Sequence, residues 1–394
     1  MIKPPSRFAY SQKEIENIFK VIEYYKTRNE DPGYQGYFEK KFCDEFSEFM
    51  GGGYTDAVAT GTAAIFVALQ ALKLPKGSDV LISPVTDSGP LNCIIMLGLN
   101  PIVMDSKKGS YNIDLEQFKK KITPNTSAIL LVHTGGEPVE DTKLIVEEAH
   151  KRGIKVLEDC SQSTGALVDG QRVGSFGDIA AFSTMYRKNL IAGSSGGLVF
   201  TKDEELYKLV LAFADRGKQV WRTDINQNDP TMALFPALNL NTDEISCAIG
   251  SSSLSRLQDT INKRINFLEY FISLLKEKST VCKPYNFNKN FSPFFFPIFV
   301  DTKKINCSKI EFAKALNRVG VVNNPHYGCV ISEWKWAKKY FVGDFKTKNA
   351  IEVKNSSFNL FLNENYTFKL AEEMIDEIIK VEKNANRSYY IDIQ

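Results

Sequence analysis

Short apolar runs alternate with longer segments of helical periodicity through the first half of the chain. DVLIS (79–83), PIVMD (101–105), AILLVH (128–133), KVLED (155–159), IAAFS (179–183) and GLVFT (197–201) read as buried strands. TAAIFVALQAL, DLEQFKKKI and TKLIVEEAHKRG lie among them and carry their apolar residues at helical intervals. Strands joined through helices need crossover connections, so the pattern predicts an α/β fold whose mostly parallel sheet has helices on both faces. Ligands of such sheets sit at the carboxyl ends of the strands. Ahead of this region, Ser11 and Glu14 have capping-box spacing, and Ile15, Ile18, Phe19 and Ile22 recur as an amphipathic helix requires.

After the alternating region, residues 214–243 are polar and aperiodic and read as a long loop, a kind of segment that often carries function. A helical stretch over about 244–276 leads into a second unit. Its strand signals are FFFPIFVD (294–301) and VGVVN (319–323), and its helices are SKIEFAKALNRV and FKLAEEMIDEIIKVEKN. The expected domains are 1–260 and 261–394.

Composition narrows the function classes. With 43% hydrophobic and 24% charged residues the chain has a globular composition, and 394 residues favour two domains. The 49 basic and 47 acidic side chains nearly cancel, so no global field draws nucleic acid or an anionic membrane. Seven cysteines without CxxC spacing argue against a disulfide framework or a zinc site and suit a reducing compartment. No window has the apolar length of a signal peptide or a membrane span. The expectation is a cytoplasmic protein with no metal.

Three features could carry chemistry. In 59-ATGTAAIFVAL-69, Gly61 and Thr62 open an apolar helix, where free amide groups and the helix dipole suit a phosphate; a merely capped, buried helix gives the same pattern. Asp159 ends the strand KVLED, with Gln162 three residues on; a loop acid or helix cap is the ordinary reading. In 182-FSTMYRKNLIAGSSGG-197, Ser183 ends a strand and Lys188 follows in a turn, although a lone lysine is most often a solvated charge. Their order on one doubly wound sheet is the layout of a pyridoxal 5'-phosphate (PLP) site.

With ATGTAAI, YQGYFEKKFCDEF, GIKVLEDCSQSTGA, RVGSFGDIAAFS, LNLNTDEISCAIG and PHYG in hand, the chain resembles the fold-type-I PLP-dependent aminotransferases. Within them it is similar to the DegT/DnrJ/EryC1/StrS family of nucleotide-sugar aminotransferases. The resemblance implies a large domain with a mostly parallel seven-stranded sheet and a smaller C-terminal α/β domain. It implies that Lys188 holds PLP as a Schiff base, that Asp159 pairs with the pyridine nitrogen, and that Gln162 lies beside the ring. Gly61, Thr62 and Ser183 would bind the phosphate, joined by Asn239 from the second subunit of a homodimer. The cycle would run through pyridoxamine 5'-phosphate, taking the amino group from L-glutamate to a keto-sugar in glycan or secondary-metabolite synthesis.

Departures from the family pattern keep other acceptors open. Asp87 in 84-PVTDSG-89 replaces an aromatic residue that usually covers the ring, Ser195 replaces a common acid, and Asn241 replaces the arginine of an NxR-like motif. The alternatives are an aminotransferase for a non-nucleotide keto acceptor, a silent PLP- or sugar-binding relative, and a sugar dehydratase; the last carries His in place of the lysine, so Lys188 opposes it. Asp87, His133, Arg216, His326 and Tyr327 are candidate substrate contacts. His133 reads equally well as a core histidine, Arg216 as a surface charge and His150 as a solvated helix residue.

Overall fold

The computed structural model describes residues 2–227 and 229–387. Helices α1 (Gln12–Arg28) and α2 (Tyr37–Phe49) precede the sheet region. Ser11 caps α1 in a complete capping box with Glu14, as its spacing predicts. The apolar stripe of α1, however, faces outward: Phe19 is 63% exposed and Ile22 48%. The helix instead buries Glu14, Val21 and Tyr25. Glu14 pairs with Arg256 at 2.8 Å and Tyr25 donates to Glu244 at 2.6 Å, so polar anchors turn that face inward.

Seven strands form the main sheet: β1 (Tyr54–Val58), β2 (Asp79–Ile82), β3 (Asn100–Val103), β4 (Thr126–Val132), β5 (Lys155–Asp159), β8 (Ile179–Ser183) and β9 (Gly197–Thr201). A small ribbon, β6 (Leu167–Val168) with β7 (Gln171–Arg172), stands outside it. The order is β1-β9-β8-β5-β4-β2-β3, parallel throughout except for β9, which runs against both neighbours. Both faces are covered, which is why the strands are unbroken apolar runs. On β4, Leu130 and Val132 pack against α3 (Gly61–Ala71), α4 (Ser88–Met96) and α7 (Glu204–Ala214). Ile129 and Leu131, alternating with them, pack against α5 (Leu115–Lys121) and α6 (Thr142–Lys151).

The long polar stretch is a loop, as expected: between α7 and α8 (Glu244–Ser255), among the described residues, only a 3₁₀ turn at Pro230–Met232 is regular. The predicted helix over 244–276 is two, α8 and α9 (Leu257–Lys278). A second sheet, of order β10-β11-β13-β12, uses β10 (Cys282–Pro284), β11 (Phe295–Val300), β12 (Asn323–Asn324) and β13 (Ser357–Phe361). It shares a core with α9, α10 (Lys309–Arg318) and α12 (Phe368–Arg387), while α11 (Lys348–Ser356) leads into β13. VGVVN does not form the predicted strand. Gly320, at φ 96, closes the turn after α10, and pairing starts only at Asn323.

Candidate active site

Strand register assembles the site. Val132, Asp159 and Ala181 are neighbours across β4, β5 and β8, and Ser183, Gly197 and Val58 are neighbours across β8, β9 and β1. The chain leaves β1 through Ala59 and Thr60 and enters α3 at Gly61, so the α3 N-terminus stands over the end of β8. Thr60 caps it, its hydroxyl accepting from the Ala63 amide at 2.8 Å. The first-turn amides of Gly61 and Thr62 are ahead of the helix ladder and free for an anion. Gly61 is required for contact: a Cβ there would stand 2.6 Å from the Ser183 Cβ.

Gly61, Thr62, Asp87, Asp159, Gln162, Ser183, Lys188 and Tyr327 all line one cavity of about 830 Å³. The Asp159 carboxylate is buried and accepts from the Ser161 amide at 3.0 Å. Burial lifts its carboxyl above the ordinary value, against the pull of Ser161 and Lys188. Gln162 is held at both ends of its amide, accepting from Gly135 N at 2.8 Å and donating to the Tyr327 hydroxyl at 3.4 Å.

Lys188 lies in the turn after β8, and no hydrogen bond or ion pair among the described residues engages its Nζ. That nitrogen stands 4.6 Å from the Phe294 ring centroid. Burial pushes the amine below the ordinary lysine value, opposed by Asp159 and Asp87. An unpaired lysine in a cavity is costly as a cation and suited to act as a neutral amine.

Four other sequence candidates lie elsewhere or have another task. His133 is fully buried, and the reading of it as a ligand contact is corrected: Nδ1 accepts from the Val139 amide at 3.0 Å and Nε2 meets Glu158 at 3.1 Å. Val132 lines the cavity, and the residue after it turns to the opposite side. Glu158 also takes the amides of Gly174, Phe176 and Gly177, so the pair fastens the loop before β8 beneath Asp159. Arg216 is exposed and paired with Asp215 at 2.7 Å, and His326 is exposed; neither lines the cavity. Asn239 is exposed on the long loop, outside this chain's cavity.

Asp87 lines the cavity and is also the N-cap of α4, accepting from the Gly89 amide at 3.3 Å. His150 is half-exposed beside Asp178, as a solvated helix residue would be. Arg7, Phe294 and Cys329 line the cavity without any sequence signal, since all three arrive from distant parts of the chain.

The residues present fit PLP: free amides and a hydroxyl for the phosphate, a buried acid for the ring nitrogen, and an unpaired lysine. Comparison with known proteins agrees. The model of the DegT/DnrJ/EryC1/StrS aminotransferase family matches residues 16–381. The chain belongs to this family. Its fold is accordingly that of the fold-type-I PLP-dependent enzymes, and its cofactor is PLP. A GDP-perosamine synthase of Escherichia coli O157:H7 is 33% identical over 58% of this chain and 61% of the relative. The spore coat polysaccharide biosynthesis protein SpsC of Bacillus subtilis (strain 168) is 27% identical over 97% of this chain and 98% of its own. Among solved structures, an aminotransferase from Psychrobacter cryohalolentis superposes with a TM-score of 0.88 at 24% identity, covering 97% of this chain and all of the other. Among the described residues, no helix is long and apolar enough to cross a membrane.

Proposed function

We propose that this enzyme transfers the amino group of L-glutamate to a nucleotide-linked keto-sugar in surface-glycan or related biosynthesis, as a cytoplasmic homodimer whose sites are shared between subunits. The observation that carries the reading is the unpaired Lys188 amine in one cavity with buried Asp159 and the α3 N-terminus. Relatives named for GDP-, UDP- and dTDP-linked sugars support the acceptor class.

Bound PLP supplies a carbonyl that captures amines and a ring that takes up the electron pair left when an α-proton departs. The residues do the rest. Lys188 would hold the group through Nζ and, on its flexible stem, would carry the substrate's α-proton as a neutral amine. Asp159 would face the ring nitrogen and hold its proton, and Gln162, fixed by Gly135 and Tyr327, would lie beside the ring. Gly61, Thr62 and Ser183 take the phosphate, with Asn239 of the partner subunit completing it.

The test is an absorbance spectrum of the purified protein before and after L-glutamate, with borohydride trapping and peptide mapping. A Schiff-base band that glutamate bleaches, with the trapped adduct on Lys188, is expected; Lys188→Ala should lose band and transamination together. A colourless protein in the presence of PLP, or turnover by Lys188→Ala, defeats the reading.

A further inference from the structure

Beside the active-site cavity, which Arg7 lines, two guanidinium groups share one carboxylate. Arg7 Nε donates to both oxygens of Glu364, at 3.0 and 3.1 Å, and Arg264 Nη2 donates to Glu364 Oε2 at 2.8 Å. The side chains are 13%, 12% and 1% exposed for Arg7, Glu364 and Arg264. Burial opposes ionisation of Glu364, yet the two arginines hold its carboxyl down to about 2, so the triad keeps a surplus positive charge at any working pH. Arg264 spends its other amino group on Asn189 Oδ1 and the Pro293 carbonyl and stays in the core.

Arg7 is the member that edges the cavity. Its Nη1 donates to the Tyr186 carbonyl at 3.0 Å, two residues before Lys188, and its buried Nη2 has no partner among the described residues. Arg187 lines the same cavity and has no ion pair among the described residues, and Asn324, Asn363 and Tyr366 add polar groups to the lining. Among the described residues the cavity's lining acids are Asp87 and Asp159 alone, one capping α4 and the other beside Lys188. A buried surplus charge is costly until an anion meets it, and guanidinium is the group suited to carboxylate and phosphate oxygens.

We infer that Arg7, set by Glu364 and Tyr186, is the centre of a subsite for an anionic group of the substrate. The inference rests on the aminotransferase reading. The anion is either the carboxylate of the amino donor or the phosphate of the nucleotide-linked acceptor. Because Arg7 also grips the lysine turn, anion binding there steadies the backbone that presents Lys188.

Arg7→Gln and Arg7→Lys in the full chain test this, with melting temperature as the control for folding. Calorimetric titration with 2-oxoglutarate and with UDP, GDP and dTDP needs no turnover, so it judges Arg7 even where glutamate fails to bleach the wild type. In Arg7→Gln, affinity for one of the two probe classes should fall about tenfold or more, the scale of one charge-assisted hydrogen bond. A loss for 2-oxoglutarate assigns the donor carboxylate, and half-saturating L-glutamate in the bleaching reaction should rise more than the limiting rate falls. A loss for the nucleoside diphosphates assigns the phosphate. Arg7→Lys should recover part of either. Unchanged affinity for both classes in Arg7→Gln, whatever its melting temperature, overturns the inference and leaves Arg7 as a strap between Glu364 and Tyr186.

Discussion

In the proposed chemistry a lysine and an aspartate have the central roles. Burial lowers the Lys188 amine, as capture of a carbonyl requires, whereas it raises the Asp159 carboxyl, and Ser161 and Lys188 work against that rise toward the ionised form that pairing with a ring N–H requires. The Lys188 amine lies below the ordinary lysine value, and Asp159 is one of the charges that holds it up. Capture of PLP requires the neutral amine, so the pH midpoint for forming a borohydride-trappable adduct on the apo-protein should lie below that of free lysine. Asp159→Asn removes a negative neighbour and should move the midpoint lower still, alongside weaker cofactor retention. A midpoint at the free-lysine value would mean that Nζ is solvated. Lys188, Asp159, Gln162 and Ser183, which line the cavity, could be singled out in the sequence because each sits at or just after a strand end, where the ligands of such sheets gather. Arg7, Phe294 and Cys329 were not, since nothing local marks a residue brought in by tertiary contact. His133 was ambiguous for a third reason: position at a strand end places it near the site, and only the partners of its two nitrogens show which way it faces.

The elements were read from periodicity, which works where burial is two-sided and fails where polar anchors set orientation. All six apolar runs are strands, and the seventh strand, Tyr54–Val58, lies just before α3. On α1 the periodic stripe is genuine but outward, because Glu14 and Tyr25 find partners in α8 and α9 territory that no pattern announces. The junction of β1 and α3 is tightly constrained. Gly61→Ala would push a methyl group against Ser183, and the overpacking should cost about 1–3 kcal/mol. Because the same contact shapes the phosphate end, PLP affinity should fall with stability. Denaturation of the apo-protein and cofactor titration measure the two separately, and a stable variant with normal PLP affinity would show that the helix end can shift.

At the scale of the molecule, the two sheets meet around Glu137. Tyr285 donates to its Oε2 at 2.6 Å, with Asn112 at 3.0 Å and Ser110 at 3.2 Å. Burial raises its carboxyl to about 7, against the Tyr285 and Ser110 bonds. A carboxyl raised on folding binds more protons in the native state. Its stabilisation is therefore complete below the usual value of about 4.5 and is lost as pH rises through about 7. Relative to Glu137→Gln, the parent should lose up to about 3 kcal/mol across that window, and parallel stability curves would place the charge elsewhere. The proposed assembly makes a further demand. Phe19, Ile22 and Leu238 are 63%, 48% and 55% exposed in the single chain, apolar surface that a partner subunit would cover. If Asn239 completes the phosphate site of its partner, the Lys188→Ala and Asn239→Ala defects fall together in one site of a mixed dimer and leave the other site whole. Each variant alone should be impaired, while unfolding and refolding the two together should form hybrids with one site that has both residues intact. Activity above the sum of the separate variants is then expected. If mixing restores nothing although hybrids form, Asn239 serves its own chain or no site at all.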